Sequence, residues 1–281
     1  MNAIGSILPA AVPREATRLH DVLHGAAGWL RRIAVAVLPS VLILVLWEAA
    51  VRWEVVSPDR MPAPSAVWGI LASHRQILLA QSIPTAVDTV LSFGLAVVCG
   101  LGLGILIASF ERFRLAVYPY VILFQLIPKV AVAPLFLVWF GIGMQSRVAF
   151  AMFVAFFPVL VSTIAGLTGA SPSAMRLARS LRASRSQLLF QIQMPYAIPH
   201  LFVGAKVAAT MAVLGIVIAE FVTAQSGLGY IIMFGASVGQ TALVFAAVAL
   251  LCGIGLALYC AVALAEVAAR RWHGGFPAAS G

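Results

Sequence analysis

The chain has 281 residues, of which 62% are hydrophobic and only 10% charged, and its mean hydropathy is +1.04. Soluble domains carry far more charge, so the composition excludes a soluble enzyme and defines a single integral membrane domain. The net charge of +9 does not point to nucleic acid, because the arginines stand at the ends of apolar runs with no aromatic–basic interleaving.

Residues 1–32 read as a tail holding an interfacial helix. Leu19, Val22, Leu23, Ala26 and Leu30 recur at helical spacing against Arg14, Arg18 and Asp21, the pattern of a helix lying on a membrane surface. Glu15 and Asp21, and the full-length apolar run after them, argue against a cleaved signal peptide. A hydrocarbon core takes roughly twenty apolar residues per helix. On that basis six spans are expected, at 33–50, 84–109, 116–140, 148–169, 198–223 and 243–266. Unbroken apolar runs, without alternation, make them helices of an all-α protein and not barrel strands.

The segments between the spans are informative. Loop 51–83 holds Ser57-Pro-Asp-Arg-Met-Pro-Ala-Pro-Ser65, a turn stretch expected to precede a short amphipathic helix. Loop 224–242, AQSGLGYIIMFGASVGQTA, is glycine-rich yet apolar and reads either as a lid dipping back into the bilayer or as an ordinary outer helix and turn. Basic residues set the orientation. With the N-terminus inside, twelve arginines fall on the inner side, and only Arg52, Arg60, Arg75 and Arg147 on the outer. The insert 171–197 is then cytoplasmic, as are both termini, including the tail 273–281 that follows the 33–272 transmembrane domain.

That insert is the most distinctive part of the chain. Arg176, Arg179, Arg182 and Arg185 recur every third residue, and Leu177, Leu181 and Leu188 are expected on one helical face. A helix basic on one side and leucine-lined on the other suits docking into a partner's groove. Pro195 and Pro199 are expected to bend the chain twice before it re-enters the membrane.

Several other features carry chemistry. Lys129, in Ile127-Pro-Lys-Val-Ala-Val-Ala-Pro134, is expected about 18 Å along a helix begun near Val117, where a buried cation costs roughly 3 kcal/mol. A polar pathway in which it attracts an anion, with Pro128 and Pro134 exposing backbone groups, is one reading; pairing with a carboxylate, or a span set shallower than this, is the other. Glu220 stands near the outer end of the fifth span and can line a gate, cap a helix or pair with a neighbour, whereas Lys206, nearer the inner face, is expected to snorkel. Gly235-Ala-Ser237-Val-Gly239 matches the G-x-S-x-G pattern without the strand-to-helix context a hydrolase needs. Gly100-x-x-x-Gly104 is a helix-packing signal. Cys99, Cys252 and Cys260 lie in apolar runs without ligand spacing and read as packing residues, so no metal site is expected. No Walker A sequence occurs, so the chain is not expected to hydrolyse nucleotide itself.

Leu177-Ala-Arg-Ser-Leu-Arg-Ala-Ser-Arg-Ser-Gln-Leu188, followed by Met194-Pro195-Tyr-Ala197-Ile-Pro199, resembles the cytoplasmic "EAA" loop of the membrane subunit of ABC importers, in the nitrate/sulfonate/taurine-type branch. Pro62-Ala-Pro-Ser65, Ile127-Pro128 with Ala133-Pro-Leu135, Trp139-Phe-Gly-Ile-Gly143, Phe156-Phe-Pro158, Ala219-Glu220 and Gly227-Leu-Gly229 support the resemblance, which covers about residues 58–272. The family's usual glutamate falls at Arg176 and its usual glycine, which bends the loop, at Arg182; an arginine there is expected to keep the helix continuous.

The resemblance implies a permease subunit in the bacterial inner membrane that pairs with a second copy of itself. It also implies a cytoplasmic ABC ATPase dimer holding ATP and magnesium, and an outer solute-binding protein. Leu177, Ala178, Arg179, Leu181, Arg182, Ala183, Ser184, Leu188 and Pro195 would couple to the ATPase. Pro128, Lys129, Pro134, Glu220, Gly227 and Gly229 would line the pathway or its gate. A small anionic solute of sulfonate, taurine or nitrate type is expected; a neutral heterocyclic vitamin or precursor is the alternative. A stand-alone secondary transporter fits less well, because no inverted repeat is seen.

Overall fold

The computed structural model describes Val35, residues 38–223 and residues 225–272. The expected interfacial helix within 1–32 and the tail 273–281 lie outside the described residues. The chain divides into two compact units, Met1–Ser65 and Ala66–Gly281.

In the first unit, helix α1 covers residues 38–52. Near its end Glu48 gathers three donors: Arg52 Nε at 2.8 Å, the Ser65 amide at 3.0 Å and the Ser65 hydroxyl at 2.8 Å. One carboxylate thereby ties the Pro62-Ala-Pro-Ser65 turn back to the helix that precedes it. Helix α2 (Pro64–Ser73) runs across the boundary between the units.

The second unit is built on α3 (Arg75–Ser109), α6 (Met144–Thr168) and α9 (Met194–Thr223). Helix α3 begins nine residues before the expected span and, at 35 residues, is about 50 Å long, well beyond a hydrocarbon core. These three helices approach closely through small residues. A Cβ on Gly100 would stand 2.8 Å from Val159 Cβ, one on Gly104 2.6 Å from Thr163 Cβ, and one on Gly215 2.7 Å from Ala151 Cα. Lipid offers no hydrophobic drive for helices to associate, so close van der Waals contact must supply it. The Gly100/Gly104 pair therefore works as the spacing predicts.

Polarity is distributed accordingly. On α3 the buried stripe is Thr85, Asp88, Thr89 and Ser92, then Ala96, Gly100, Gly104 and Ile107, while Val87, Val90, Leu91, Leu95 and Val98 are exposed. The three cysteines are likewise exposed, so they do not pack inside the chain as expected. An apolar exterior is the consequence of a lipid solvent.

The expected third span is not one helix. Helices α4 (Glu111–Leu126) and α5 (Lys129–Phe140) meet at a 96° bend. Pro128 is the cause: it denies the α conformation to the residue before it, and Ile127 is extended with ψ 127°. Helices α10 (Leu228–Ser237) and α11 (Thr241–Trp272) close the unit, packing Leu228, Ile231, Leu243, Ala246, Ala247 and Leu251 around Val67 and Leu78. Among the described residues no strand forms. Among the described residues four helices are long and apolar enough to cross a membrane, or five if the bent pair counts as one span, against the six expected.

Candidate functional site

The 171–197 insert starts as helix α7 (Pro172–Ser180), with Pro172 at its first turn. The helix stops there, contrary to the expectation of a continuous one. The Arg182 amide donates to the Arg179 carbonyl at 3.0 Å, and the Ala183 amide to the Ala178 carbonyl at 3.0 Å, which is a Schellman ending. Arg182 takes the left-handed position with φ 58°. The bend that glycine normally supplies is thus made by an arginine, at about 1–2 kcal/mol of Cβ strain.

A new helix starts at once. Ser184 accepts from the Gln187 amide at 3.3 Å, and its own amide donates to Gln187 Oε1 at 2.8 Å, a reciprocal cap on the three-residue α8 (Arg185–Gln187). From Arg185 to Thr223 the helix is then continuous over 39 residues. The expected double break at Pro195 and Pro199 is absent. Instead, Leu188–Gln193 widens into a π-helical turn in which the Met194 amide reaches the Leu189 carbonyl. Widening the coil just before Pro195 accommodates the ring and missing donor of that proline without breaking the helix. Gln193 Nε2 donates to the Leu167 carbonyl at 3.2 Å, tying this turn to the end of α6.

The bend separates the three leucines. Leu177 and Leu181 are 63% and 75% exposed, whereas Leu188, beyond the bend, is half-buried in a cleft. They do not form one face, because the helix that would have aligned them ends at Ser180. Ala178, Arg179 and Ala183 build the bend, and Ser184 caps α8 beyond it.

A second cluster lies where α3, α9 and the α9–α10 connection meet. Glu220 is fully buried. Its Oε1 receives the Thr85 hydroxyl at 2.6 Å, and its Oε2 receives the Gly229 amide at 2.7 Å. The Leu228 amide donates to Thr85 Oγ1 at 2.9 Å, and the Gly227 amide to Gln81 Oε1 at 2.7 Å. Three successive amides are thus held by α3 and α9. The Gly-Leu-Gly spacing has a steric reason: a Cβ on Gly227, whose φ is 98°, would overlap the Glu220 carboxylate, and one on Gly229 would stand 2.7 Å from Glu220 Cβ.

Beside Glu220 in the buried stripe, Asp88 Oδ2 pairs with Arg147 Nε at 2.7 Å, both nearly fully buried. Arg147 is therefore not an exposed residue of an outer loop, as expected, but lies in the first turn of α6. A cation at a helix N-terminus opposes the helix dipole, and Asp88 compensates it. The missed signal was Asp88, a single carboxylate inside an expected apolar span.

Lys129 is not partway along a straight helix. It is the first residue of α5, at the elbow, half-buried, with Nζ 3.5 Å from the Gln125 carbonyl and 5.7 Å from the Phe157 ring centre. No carboxylate lies within ion-pair distance of it among the described residues. Pro128 caps α5 and Pro134 sits inside it. Lys206, by contrast, has a carboxylate partner: its Nζ is 2.5 Å from Glu266, which also holds Arg270 at 2.6 Å. Ser237 donates to the Phe234 carbonyl at 2.7 Å at the end of α10, so its motif is a helix terminus and not a nucleophile elbow. Among the described residues no group of His, Cys, Asp and Glu is arranged to hold a metal.

Long apolar helices with polar groups paired inside them, and a bent polar insert between two of those helices, define an all-α, multi-pass membrane protein. Residues 100–273 match the model of the binding-protein-dependent transport system inner membrane components, and the chain belongs to that family. It is similar to a riboflavin transport system permease protein of Chloroflexus aurantiacus, at 34% identity over 83% of this chain and 87% of that protein. It is also similar to a putative aliphatic sulfonates transport permease protein of Bacillus subtilis, at 30% identity over 89% of this chain and 90% of that protein. A third relative is a formylaminopyrimidine transport permease protein of Halalkalibacterium halodurans, at 31% identity over 67% of this chain and 76% of that protein. The chain is an ABC transporter permease, a transport subunit and not an enzyme.

Proposed function

We propose that this permease forms the pathway for a small organic anion of sulfonate or taurine type and is driven by a separate ATPase docked on residues 171–197. Two copies would frame the pathway in the cytoplasmic membrane, with both termini cytoplasmic, a cytoplasmic ATPase dimer holding ATP and magnesium, and an outer solute-binding protein delivering the solute. The observation that carries the docking role is the pair of large exposed apolar side chains, Leu177 on the polar helix α7 and Leu181 at its C-cap. Outside lipid, such side chains call for a protein partner. The helix they stand on leads through the Arg182 bend and the capped turn at Ser184 into a 39-residue span. Movement of a docked α7 would pass into the membrane along that span, with Pro195 and the Gln193–Leu167 hydrogen bond holding the junction.

Lys129 supports the anionic solute: a half-buried ammonium without a carboxylate partner among the described residues, at the break between two helices, attracts negative charge. Glu220, Gly227 and Gly229 would act as the hinge side of a gate, fixing one end of α10 while the rest moves. The neutral alternative, a heterocyclic vitamin or precursor, is favoured by two of the relatives' names.

Replacing Leu181 with Asp tests the coupling role. Transport by the assembled complex should be lost while the permease stays in the membrane and ATP hydrolysis continues without stimulation by loaded binding protein. Unchanged transport would refute it. Sidedness is read separately, by labelling Ser180→Cys in intact cells with an impermeant thiol reagent, which should fail until the membrane is opened.

A further inference from the structure

We propose that the cleft between the α3–α4 turn and the coupling insert is a binding site for the phosphate-bearing headgroup of an anionic phospholipid. It encloses about 1110 Å³. The turn contributes Arg112 and Arg114, the insert contributes Arg179 and Arg185, and Leu167 and Leu188 supply an apolar part of the wall. Glu111 is the acidic residue of the lining, so four arginines against one glutamate leave it three charges positive. Among the described residues none of these arginines has a carboxylate within 4.0 Å. Arg185 is steadied instead over the Phe110 ring, at 5.8 Å.

Guanidinium groups match phosphate oxygens in pairs and are less strongly hydrated than ammonium, so an open arginine cluster is suited to a phosphodiester. The place of the cleft selects a lipid over a soluble anion or an acidic protein segment. Its lining includes Ala108 and Ser109, the last residues of a 35-residue span, and Leu106, Phe110, Phe113 and Leu115 around them are exposed. A molecule with a charged head and acyl chains satisfies both surfaces at once, whereas inorganic phosphate or an acidic peptide leaves these apolar side chains uncovered. Bound there, the headgroup would bridge the end of α3 to the insert on either side of the Arg182 bend and brace the coupling segment. The idea rests on the cytoplasmic placement of the insert, because the anionic lipids face that side.

The test uses the assembled transporter in nanodiscs of phosphatidylcholine mixed with phosphatidylglycerol, followed by native mass spectrometry of the retained lipid. Wild type should hold phosphatidylglycerol in preference to phosphatidylcholine. The double variant Arg112→Gln/Arg114→Gln should lose that preference by about tenfold, a difference of about 1.4 kcal/mol. Arg75→Gln, at the opposite end of α3, should keep it, and so should Arg112→Lys/Arg114→Lys in large part. Millimolar inorganic phosphate should not displace the lipid. Equal retention by wild type and the glutamine variant overturns the proposal. So does displacement by phosphate, which marks a soluble-anion site, or loss of the ATPase subunits with lipid retention unchanged, which marks a protein contact. Ser180→Cys labelling from outside the cell would instead sink the functional reading while leaving the lipid measurement interpretable.

Discussion

Arg182 shows how one side chain can occupy a place that backbone geometry reserves for another. The Schellman hydrogen bonds at the end of α7 require a left-handed residue, and the arginine adopts it with φ 58° because the capped turn at Ser184 and Gln187 comes immediately after it. Arg182→Gly should therefore leave the bend in place and stabilise the isolated permease by about 1 kcal/mol, read as a higher midpoint in thermal unfolding in detergent. A lower midpoint would mean that the arginine makes a contact worth more than the strain. Glu220 offers a contrasting case. Glu220→Ala strands the buried Gly229 amide, costing about 1–3 kcal/mol, and leaves the Thr85 hydroxyl only its longer bond to the Gln81 carbonyl at 3.3 Å. Glu220→Gln keeps an acceptor for one of them, so the same unfolding measurement should rank wild type above glutamine and glutamine above alanine.

Among the helices, α3, α6 and α9 depend on close approach more than on bulk. Gly104→Leu places a branched side chain where Thr163 Cβ already stands 2.6 Å from an ideal Cβ, and neither helix can retreat without losing the contacts on either side. The expected loss is about 2 kcal/mol or more, with reduced yield of folded protein in the membrane. Gly102→Leu, on the same helix with no atom within 4 Å of the added Cβ, should be tolerated. If both substitutions behave alike in a fluorescence-detected gel-filtration assay, glycine packing is not what holds these helices together. The elbow between α4 and α5 belongs at this scale too, since Pro128 turns an expected single span into two helices and moves Lys129 from a helix interior to a helix start.

For the molecule as a whole, charge inside the described helices is mostly neutralised by partners on other helices or one turn away on the same one. Asp88 pairs with Arg147, and Glu266 with Lys206 and Arg270, while Lys129 is left without a carboxylate among the described residues. If Lys129 recognises an anionic solute, Lys129→Ala should lower uptake by the reconstituted complex about tenfold, equivalent to about 1.4 kcal/mol. Lys129→Arg should restore part of it. Unaltered uptake in the alanine variant would favour the neutral heterocycle, with the lysine serving only the elbow and the Phe157 ring.

The membrane class, the helical content, the polar insert and the family were all legible in the order of residues. Apolar run length and the Gly100/Gly104 spacing are local patterns, set by chain neighbours and by the solvent. Partnerships across the fold were not legible. That Glu220 holds the Gly229 amide, that Arg147 is buried against Asp88, that Lys206 meets Glu266 and that Lys129 meets no carboxylate among the described residues depend on which faces of α3, α6, α9 and α11 come together. Such pairings join residues as many as 146 positions apart, as with Gln81 and Gly227, and no local periodicity encodes them. The same holds for the three leucines of the insert, aligned by spacing and separated by a bend that hydrogen bonds on both sides of Arg182 impose.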